Sequence, residues 1–354
     1  MIKVTLRHVR TEVVVGLAVL IGLAVVLAVT GAHLVAVNDS FLRTCQHAGG
    51  CSSAGNPVLD TETPLQGALP FVVIVAPALA GLFLGAPLVA RELESGTFRL
   101  AWTQSVSRRR WLAVKLGVVG AAATAFATLV TWMVDWWASP IEAVNQSRFG
   151  LGSFSLQGVA PIGYAAFAFA LGVTSGILLR RTVAAMALTA AGFAAARLAV
   201  TYWVRPNLAA PVRASMPLPT DVGPKGPGFG FDAPGVVTLT PAPPDIPNAW
   251  VYSTSVVDRA GHAPSSQFLM HACPVLGQVS RQLGGSGGKP SAVPAGPGNF
   301  QACAHTLAAS LHLVVLLQPA SRFWPFQWAE MGIFFAAAAA LCGLADWFLR
   351  RRYG

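Results

Sequence analysis

Cysteine is the residue type in this sequence whose possible chemistry is easiest to name. Four of the five cysteines lie in hydrophilic stretches: Cys45, Cys51, Cys273 and Cys303. Four cysteines allow three pairings, and we expect the two local ones, first with second and third with fourth, in an oxidising compartment. The alternative is a zinc site, because His271 and His305 each lie two residues from one of the later cysteines. Cys342 lies in an apolar run and is most simply a small buried apolar residue.

Three ionisable residues interrupt apolar runs of the chain: Asp135, Arg197 and Glu330. If these runs cross a membrane, each charge needs an ionic partner or a water-filled cavity, because hydrocarbon does not solvate it. The three residues fall at similar depth, so we predict that Arg197 pairs with Asp135 or Glu330. Two alternatives remain open. Arg197 extends to the membrane surface beside Tyr202 and Trp203, or it contacts a transported substrate.

A short, basic and amphipathic segment separates two of the apolar runs. It has the sequence RELESGTFRLAWTQSVSRRRW, from Arg91 to Trp111. Its first half has one apolar side and predicts a short helix that Gly96 and Thr97 interrupt. The basic cluster that follows would lie at the lipid headgroups, at the start of the next helix. The segment therefore either lies on the membrane surface or docks a cytoplasmic partner.

Long apolar helices must position all of these residues. The chain is 54% hydrophobic and only 11% charged, whereas soluble proteins carry about 25% charged residues. Six runs are long enough to cross about 30 Å of hydrocarbon: Val13–Val37, Leu69–Ala90, Leu116–Trp137, Gly158–Leu179, Val183–Val204 and Met331–Leu349. The first run is too long for a cleaved signal peptide and is expected to remain as a span. We therefore predict an all-α polytopic membrane protein with six transmembrane helices.

The distribution of Lys and Arg predicts the orientation of these helices. Fourteen of these residues lie at the two chain ends, in the segment from Arg91 to Lys115 and in the turn after span four. The two short loops on the other side carry only Arg43 and Arg148. Because cytoplasmic loops are enriched in Lys and Arg, both termini are expected in the cytoplasm.

The largest hydrophilic part of the chain lies between spans five and six. Sixteen of the 25 prolines fall between Pro206 and Pro297, and proline breaks helices and removes a donor from sheets. We expect a large, irregular, Pro/Gly-rich extracellular domain with short strands and turns, closed by a short helix near Ala304 to Leu316. The predicted domains are residues 1–204 with spans one to five, 205–328 outside the cell, and 329–354 with span six and a basic tail.

Two patterns involve glycine. The GxxxG patterns that begin at Gly81 and Gly172 favour close helix packing, within the chain more readily than between chains. The segment GGSGGKPS, from Gly284 to Ser291, lacks the spacing of a phosphate-binding loop and fits a flexible loop instead.

No catalytic constellation is evident in the sequence. The 14 acidic residues are scattered, and no pair of histidines has the helical spacing of a metal site, so we expect no enzymatic site, metal or cofactor in this chain. The net charge of +10 is explained by cytoplasmic loops, and nucleic acid is not an expected partner.

The segment from Arg91 to Trp111 resembles the region after span two in actinobacterial type-two ABC-transporter permeases. The shared features are an acidic pair, a Gly-Thr, a Thr-Gln beside aromatic residues, and an Arg cluster before Trp. The segment QPASRFWPFQWAE, from Gln318 to Glu330, resembles the entry to the last span in the same group, and the Arg205-Pro206 pair also fits. The resemblance covers the six-span plan of essentially the whole chain.

The resemblance implies the membrane subunit of an ABC exporter in a bacterial plasma membrane. It also implies a cytoplasmic coupling helix near residues 91–107 that inserts into a separate ATPase subunit. The residues implied to contact that ATPase are Glu92, Glu94, Gly96, Thr97, Phe98 and Arg99. ATP and Mg²⁺ would bind in the ATPase subunit. A second permease copy, or a homologue, would complete a dimer surrounded by membrane lipids.

Two other functions are compatible with parts of the sequence. A membrane-anchored sensor would use the large outer domain to bind a ligand and the spans only as an anchor. A polytopic membrane enzyme would need acidic or histidine residues clustered at one membrane face, and the sequence does not supply them. The three hypotheses differ in whether an ATPase is required.

Overall fold

The computed structural model describes residues 10–47, 56–59, 63–96, 108–145, 147–150, 152–220, 227–233, 235–241, 244, 246–285 and 297–353. The chain divides into two compact units, one of residues Met1–Ala209 with Ser321–Gly354 and one of residues Ala210–Ala320. The first unit is helical, and the second combines strands with short helices.

The helices of the described residues are, in chain order, α1 Arg10–His47, α2 Thr63–Leu79, α3 Ala86–Ser95, α4 Arg108–Asn145, α5 Ser153–Leu156, α6 Ala160–Leu179, α7 Thr182–Ala199, α8 Ser266–Ala272, α9 Pro274–Gly285, α10 Pro297–Ala308 and α11 Phe323–Tyr353. The strands are β1 Val212–Pro217, β2 Gly228–Ala233, β3 Val236–Thr240, β4 Trp250–Asp258 and β5 Leu311–Gln318. Two π-helical segments interrupt the long helices, Ala80–Gly85 between α2 and α3, and Val200–Val204 after α7.

Six helical segments of the described chain are long and apolar enough to cross a membrane, which confirms the predicted number of spans. Numbered as spans one to six, they are Val14–Thr44, Pro64–Ser95, Arg110–Val144, Ala160–Leu179, Thr182–Asn207 and Ala320–Arg351. Each of the six has large apolar side chains that point outward, among them Val29, Phe71 and Trp132. This is the pattern of helices surrounded by lipid.

Span four lies at the centre of the helical unit. In an 18-residue apolar stretch of this span, 72% is buried, whereas the corresponding share in each other span is at most 39%. It packs against spans two, three, five and six. Small residues allow this burial, because Gly and Ala let neighbouring backbones approach closely.

The two predicted GxxxG patterns pack against each other within the chain. A Cβ added to Gly172 would lie 2.4 Å from the carbonyl oxygen of Gly81. One added to Gly176 would lie 2.8 Å from the carbonyl oxygen of Ala86, and one on Gly85 would lie 2.7 Å from that of Phe169. Spans two and four are therefore in backbone contact, and no larger residue fits at these positions without moving a helix.

A proline follows each of the two π-helical segments at the same distance. Pro87 and Pro206 each lie two residues after one of these segments. A proline ring clashes with the carbonyl four residues earlier, which belongs to Phe83 in span two and to Tyr202 in span five. Both of these carbonyls lie inside the π-helical segment, where the wider turn moves them away from the ring.

The second unit has the short strands that the sequence predicted, but they form a regular α+β structure and not an irregular domain. A three-stranded antiparallel sheet has the order β1-β5-β4, and β2 pairs with β3 in a separate hairpin. The core contains side chains from β5 and from the three short helices, including Leu269, Leu276, Leu307 and Val315. Proline is frequent in this unit, but β4 and β5 contain none.

The predicted closing helix near Ala304 to Leu316 is only half correct. The helix α10 ends at Ala308, and Leu311–Gln318 form the central strand of the sheet. The strand sequence LHLVVLLQ buries alternate side chains, beginning with Leu311 and Leu313. Burial by neighbours on both sides, which a single segment does not reveal, decides between strand and helix for such a short apolar run.

Candidate functional site

The carboxylate of Glu330 joins spans four, five and six. Its Oε1 accepts hydrogen bonds from the Tyr164 hydroxyl at 2.6 Å, from Arg197 Nη1 at 3.0 Å and from Arg205 Nη2 at 3.0 Å. Its Oε2 accepts one from Arg205 Nε at 2.9 Å. Glu330 is fully buried. Four donors therefore satisfy this carboxylate inside the helical unit, which a buried charge requires.

Of the two acids that the sequence offered to Arg197, the structure places Glu330 beside it. Asp135 interacts instead with Arg148, which approaches the ring of Phe323. Ser155 of α5 takes up the remaining terminal nitrogen, because its Oγ accepts from Arg197 Nη2 at 3.0 Å.

Arg205 is the member of this cluster that the sequence analysis missed. It was assigned to the start of the outer domain, but it extends the helix of span five and only 2% of its side chain is exposed. Its guanidinium carbon also lies 3.9 Å from the centroid of the Phe154 ring. The signal in the sequence was the apolar run that continues through Val204, since a charge at the end of such a run needs a partner.

The π-helical segment brings the two arginines to one face of span five. Eight residues separate Arg197 from Arg205, which puts them about 80° apart around a regular α-helix. A π turn absorbs one extra residue, so the angle falls to about 20°. Both guanidinium groups can then reach Glu330. Periodicity counted on a regular helix would have placed them about 80° apart.

Gln327 fixes the beginning of span four, one turn before Glu330 on α11. Its Oε1 accepts from the backbone N–H of Ala160 at 2.9 Å, and its Nε2 donates to the carbonyl of Phe154 at 2.7 Å. Gln327 is fully buried. The side chain thus holds both α5 and the first residue of α6, and so positions Ser155 and Tyr164 for the cluster.

The end of span two contains the acidic pair that resembled an ATPase contact. Arg91–Ser95 continue the helix of span two, because no helix-breaking residue separates them from Ala90, and Gly96 ends the helix with a φ of 75°. Glu92 contacts Lys115 of span three at 2.6 Å, and Lys115 also donates to the carbonyl of Leu88. This contact ties span two to span three.

Glu94 contacts span five. Its Oε2 accepts from the Thr182 backbone N–H at 3.1 Å and from the Thr182 hydroxyl at 2.8 Å. Thr182 is the first residue of α7, whose own first-turn N–H groups lack partners within the helix. A carboxylate at this end is also favoured by the helix dipole. Thr97, Phe98 and Arg99 lie outside the described residues.

The cysteines of the second unit form the expected disulfide. Cys273 and Cys303 are bonded, with their Cα atoms 5.4 Å apart, and the bond excludes the alternative zinc site because it occupies both sulfurs. It links the junction of α8 and α9 to α10. The predicted pairing of Cys45 with Cys51 lies outside the described side chains.

The comparisons with known proteins identify one family. The profile of the ABC-2 membrane transporter related family matches residues 17–205, which is more than half of the 354 residues. The match includes spans one to five and ends at Arg205. No curated protein and no solved structure matches the chain.

Proposed function

This chain belongs to the ABC-2 membrane transporter related family, and from that premise we propose that it is the permease subunit of an ATP-driven exporter. The observation that carries the proposal is the family match across spans one to five, combined with six candidate spans. A separate ATPase subunit binds the cytoplasmic side and hydrolyses ATP with Mg²⁺. The spans then alternate access to a substrate path between the two sides of a bacterial plasma membrane.

The excess of Lys and Arg supports a cytoplasmic position for both termini and for the segment after span two. In that orientation residues 210–320 lie outside the cell, where an oxidising environment stabilises the Cys273–Cys303 bond. A second permease copy completes the transporter, because alternating access in this proposal requires two halves around one path.

The described contacts suggest how movement would be transmitted. The ATPase contact includes Thr97, Phe98 and Arg99, immediately after the helix of span two. Glu92 ties the end of that helix to Lys115 of span three, and Glu94 ties it to the start of span five. A displacement of the coupling segment therefore reaches three spans together. The ATPase can drive a conformational change of the permease only if it binds the two conformations with different affinity.

Copurification tests the proposal most directly. The chain is expressed with candidate ATPase subunits, extracted in mild detergent and purified by a tag on the permease. We expect one ATPase to copurify in a stoichiometric amount. The joint variant Phe98→Ala with Arg99→Ala should lose it. Changes at Glu92 or Glu94 are less suitable, because these side chains contact other spans.

The matched control is Arg351→Ala, an exposed arginine in the C-terminal basic cluster. This variant should retain the ATPase. If the wild-type chain purifies without any ATPase across all candidates, the exporter proposal is wrong.

A second candidate function is a membrane-anchored sensor. It is favoured by one observation, the separate core and disulfide of residues 210–320. A sensor would bind an extracellular ligand equally well with and without the ATPase. The exporter proposal predicts that ATP hydrolysis by the partner changes substrate movement across a sealed vesicle.

A further inference from the structure

The cluster around Glu330 contains more positive than negative charge. Arg197 and Arg205 each carry a full positive charge that a protein environment does not remove, and Glu330 supplies one negative charge. Other groups in contact with the cluster, Tyr164 and Ser155, are neutral hydroxyls. Among the charged side chains that the structure describes in this cluster, one positive charge is therefore left over.

Neither the helix end nor Glu330 can neutralise this surplus. The C-terminal end of the span-five helix contributes about half a negative charge near Arg205. Glu330 carries one negative charge, which balances only one of the two arginines that it contacts. A single arginine would have balanced Glu330, and the π-helical segment instead brings a second one to the same face. An uncompensated charge in an apolar environment costs several kcal/mol.

Two hydrogen-bond donors at the edge of the cluster have no acceptor among the described residues. The Nε of Arg197 is buried and makes no hydrogen bond. The Ser155 hydroxyl accepts from Arg197 Nη2, and its own proton is not donated to any described group. Arg197 is also the more accessible arginine, with 11% of its side chain exposed against 2% for Arg205. The surplus charge and the unused donors thus coincide at Arg197 and Ser155.

Exposed aromatic side chains indicate how deep Arg197 lies in the membrane. Tyr202 and Trp203 follow Arg197 on span five, and Trp324 and Trp328 precede Glu330 on span six, all at least half exposed. Tyr and Trp concentrate at the boundary between hydrocarbon and headgroups. Arg197 therefore lies one to two helical turns from the layer that holds lipid phosphates.

We propose that Arg197 and Ser155 form a binding site for a phosphate-type anion, which neutralises the surplus charge of the Glu330 cluster. Arginine suits this ligand because its planar fork donates to two oxygens of one phosphate group. The ligand is either the phosphate of an anionic lipid headgroup or a free phosphate-type ion from the aqueous side. The site would exist whether or not the chain couples to an ATPase.

Thermal unfolding of the full chain in mild detergent tests the proposal, with the fluorescence of its 10 tryptophans as the readout. The probes are sodium phosphate against sodium chloride at equal ionic strength, and phosphatidylglycerol against phosphatidylcholine in mixed micelles. We expect an anionic probe to raise the Tm of the wild-type chain by about 2 °C or more, because a ligand that binds only the folded state stabilises it. A shift with both probes assigns the free ion, and a shift with phosphatidylglycerol alone assigns the lipid headgroup.

Three variants identify the site. Arg197→Gln should abolish the shift, and Ser155→Ala, which keeps all charges, should weaken it. The control Arg43→Gln, an exposed arginine at the end of span one, should retain the full shift. The proposal is overturned if neither probe shifts the wild-type Tm, a result that does not depend on any variant folding. It is also overturned if the shift persists in Arg197→Gln or is lost equally in Arg43→Gln.

Discussion

A single carboxylate connects three spans of this protein. Glu330 receives donors from Tyr164 in span four and from Arg197 and Arg205 in span five, while its own backbone belongs to span six. All three spans converge at this point, and the side chains that meet there are almost completely buried. Removing the charge of Glu330 should therefore destabilise the protein more than removing a surface charge.

Replacing Glu330 by Gln should lower the free energy of unfolding by about 3–5 kcal/mol, because two buried guanidinium groups lose their counter-charge. Thermal unfolding in detergent measures the effect. The control is Asp346→Asn in the same helix, whose carboxylate pairs with Arg350 at a partly exposed position. That change should cost at most about 1 kcal/mol. Equal losses in the two variants would contradict the role assigned to Glu330.

Asp258 in the second unit should make stability depend on pH. Its Oδ1 accepts hydrogen bonds from the backbone N–H groups of His262 and Ala260, each at 2.9 Å. The bond from His262 contributes most to lowering the pKa of this carboxyl. A lowered pKa stabilises the fold above the ordinary pKa of aspartate, and this contribution is lost as the pH falls through the folded-state pKa.

Asp258→Ala should therefore unfold at a lower temperature than wild type at pH 7, and the difference should shrink below about pH 3. Melting curves of the full chain at the two pH values provide the measurement. His262→Ala is the control, since it keeps the backbone donor, and it should resemble wild type. A difference between Asp258→Ala and wild type that is the same at both pH values would contradict this explanation.

Among the secondary-structure elements, the contact between spans two and four depends on glycine. Gly172→Ala should destabilise the protein by about 1–3 kcal/mol, because the added methyl group would lie 2.4 Å from a backbone oxygen of span two. Gly343→Ala in span six is the matched control, because a Cβ there meets nothing within 4 Å. The pair of variants is compared by thermal unfolding. Equal stability of the two would show that spans two and four can separate at little cost.

The Glu94 contact with Thr182 should matter for coupling rather than for ATPase binding. If the exporter proposal holds, Thr182→Val removes the hydroxyl that Glu94 accepts from, so span five should follow span two less closely. The ATPase should still copurify, while its stimulation by the permease decreases. Thr182→Ser keeps the hydroxyl and should behave as wild type. Loss of ATPase binding in Thr182→Val would instead place this contact in the docking interface.

For the whole molecule, the disulfide concerns only one of the two compact units. Cys273 and Cys303 close a loop with a sequence separation of 30 residues, and a crosslink of this length stabilises a fold by about 3–4 kcal/mol. The double variant Cys273→Ser with Cys303→Ser should become sensitive to limited proteolysis within residues 210–320. Cys342→Ala, which changes the free cysteine of span six, should leave the cleavage pattern unaltered. Unchanged protection in the double variant would assign the disulfide a minor role.

The sequence alone determined the features that depend on composition and on single segments. Hydropathy and length predicted six spans, because a helix that crosses the hydrocarbon layer needs about 20 predominantly apolar residues wherever its neighbours lie. The proximity of Cys273 to Cys303 in the chain favoured the disulfide that formed. A charged side chain inside a membrane needs a partner, and this requirement predicted an acidic neighbour for Arg197.

Only the tertiary structure decided which side chains meet. Asp135 and Glu330 were equivalent in the sequence, and helix packing brought Glu330 to Arg197. Arg205 joined them because the π turn before Pro206 changed the angular position of every later residue in span five. The strand Leu311–Gln318 likewise took its conformation from two neighbouring strands. Such outcomes depend on the position of distant segments in space, and local sequence carries little information about that position.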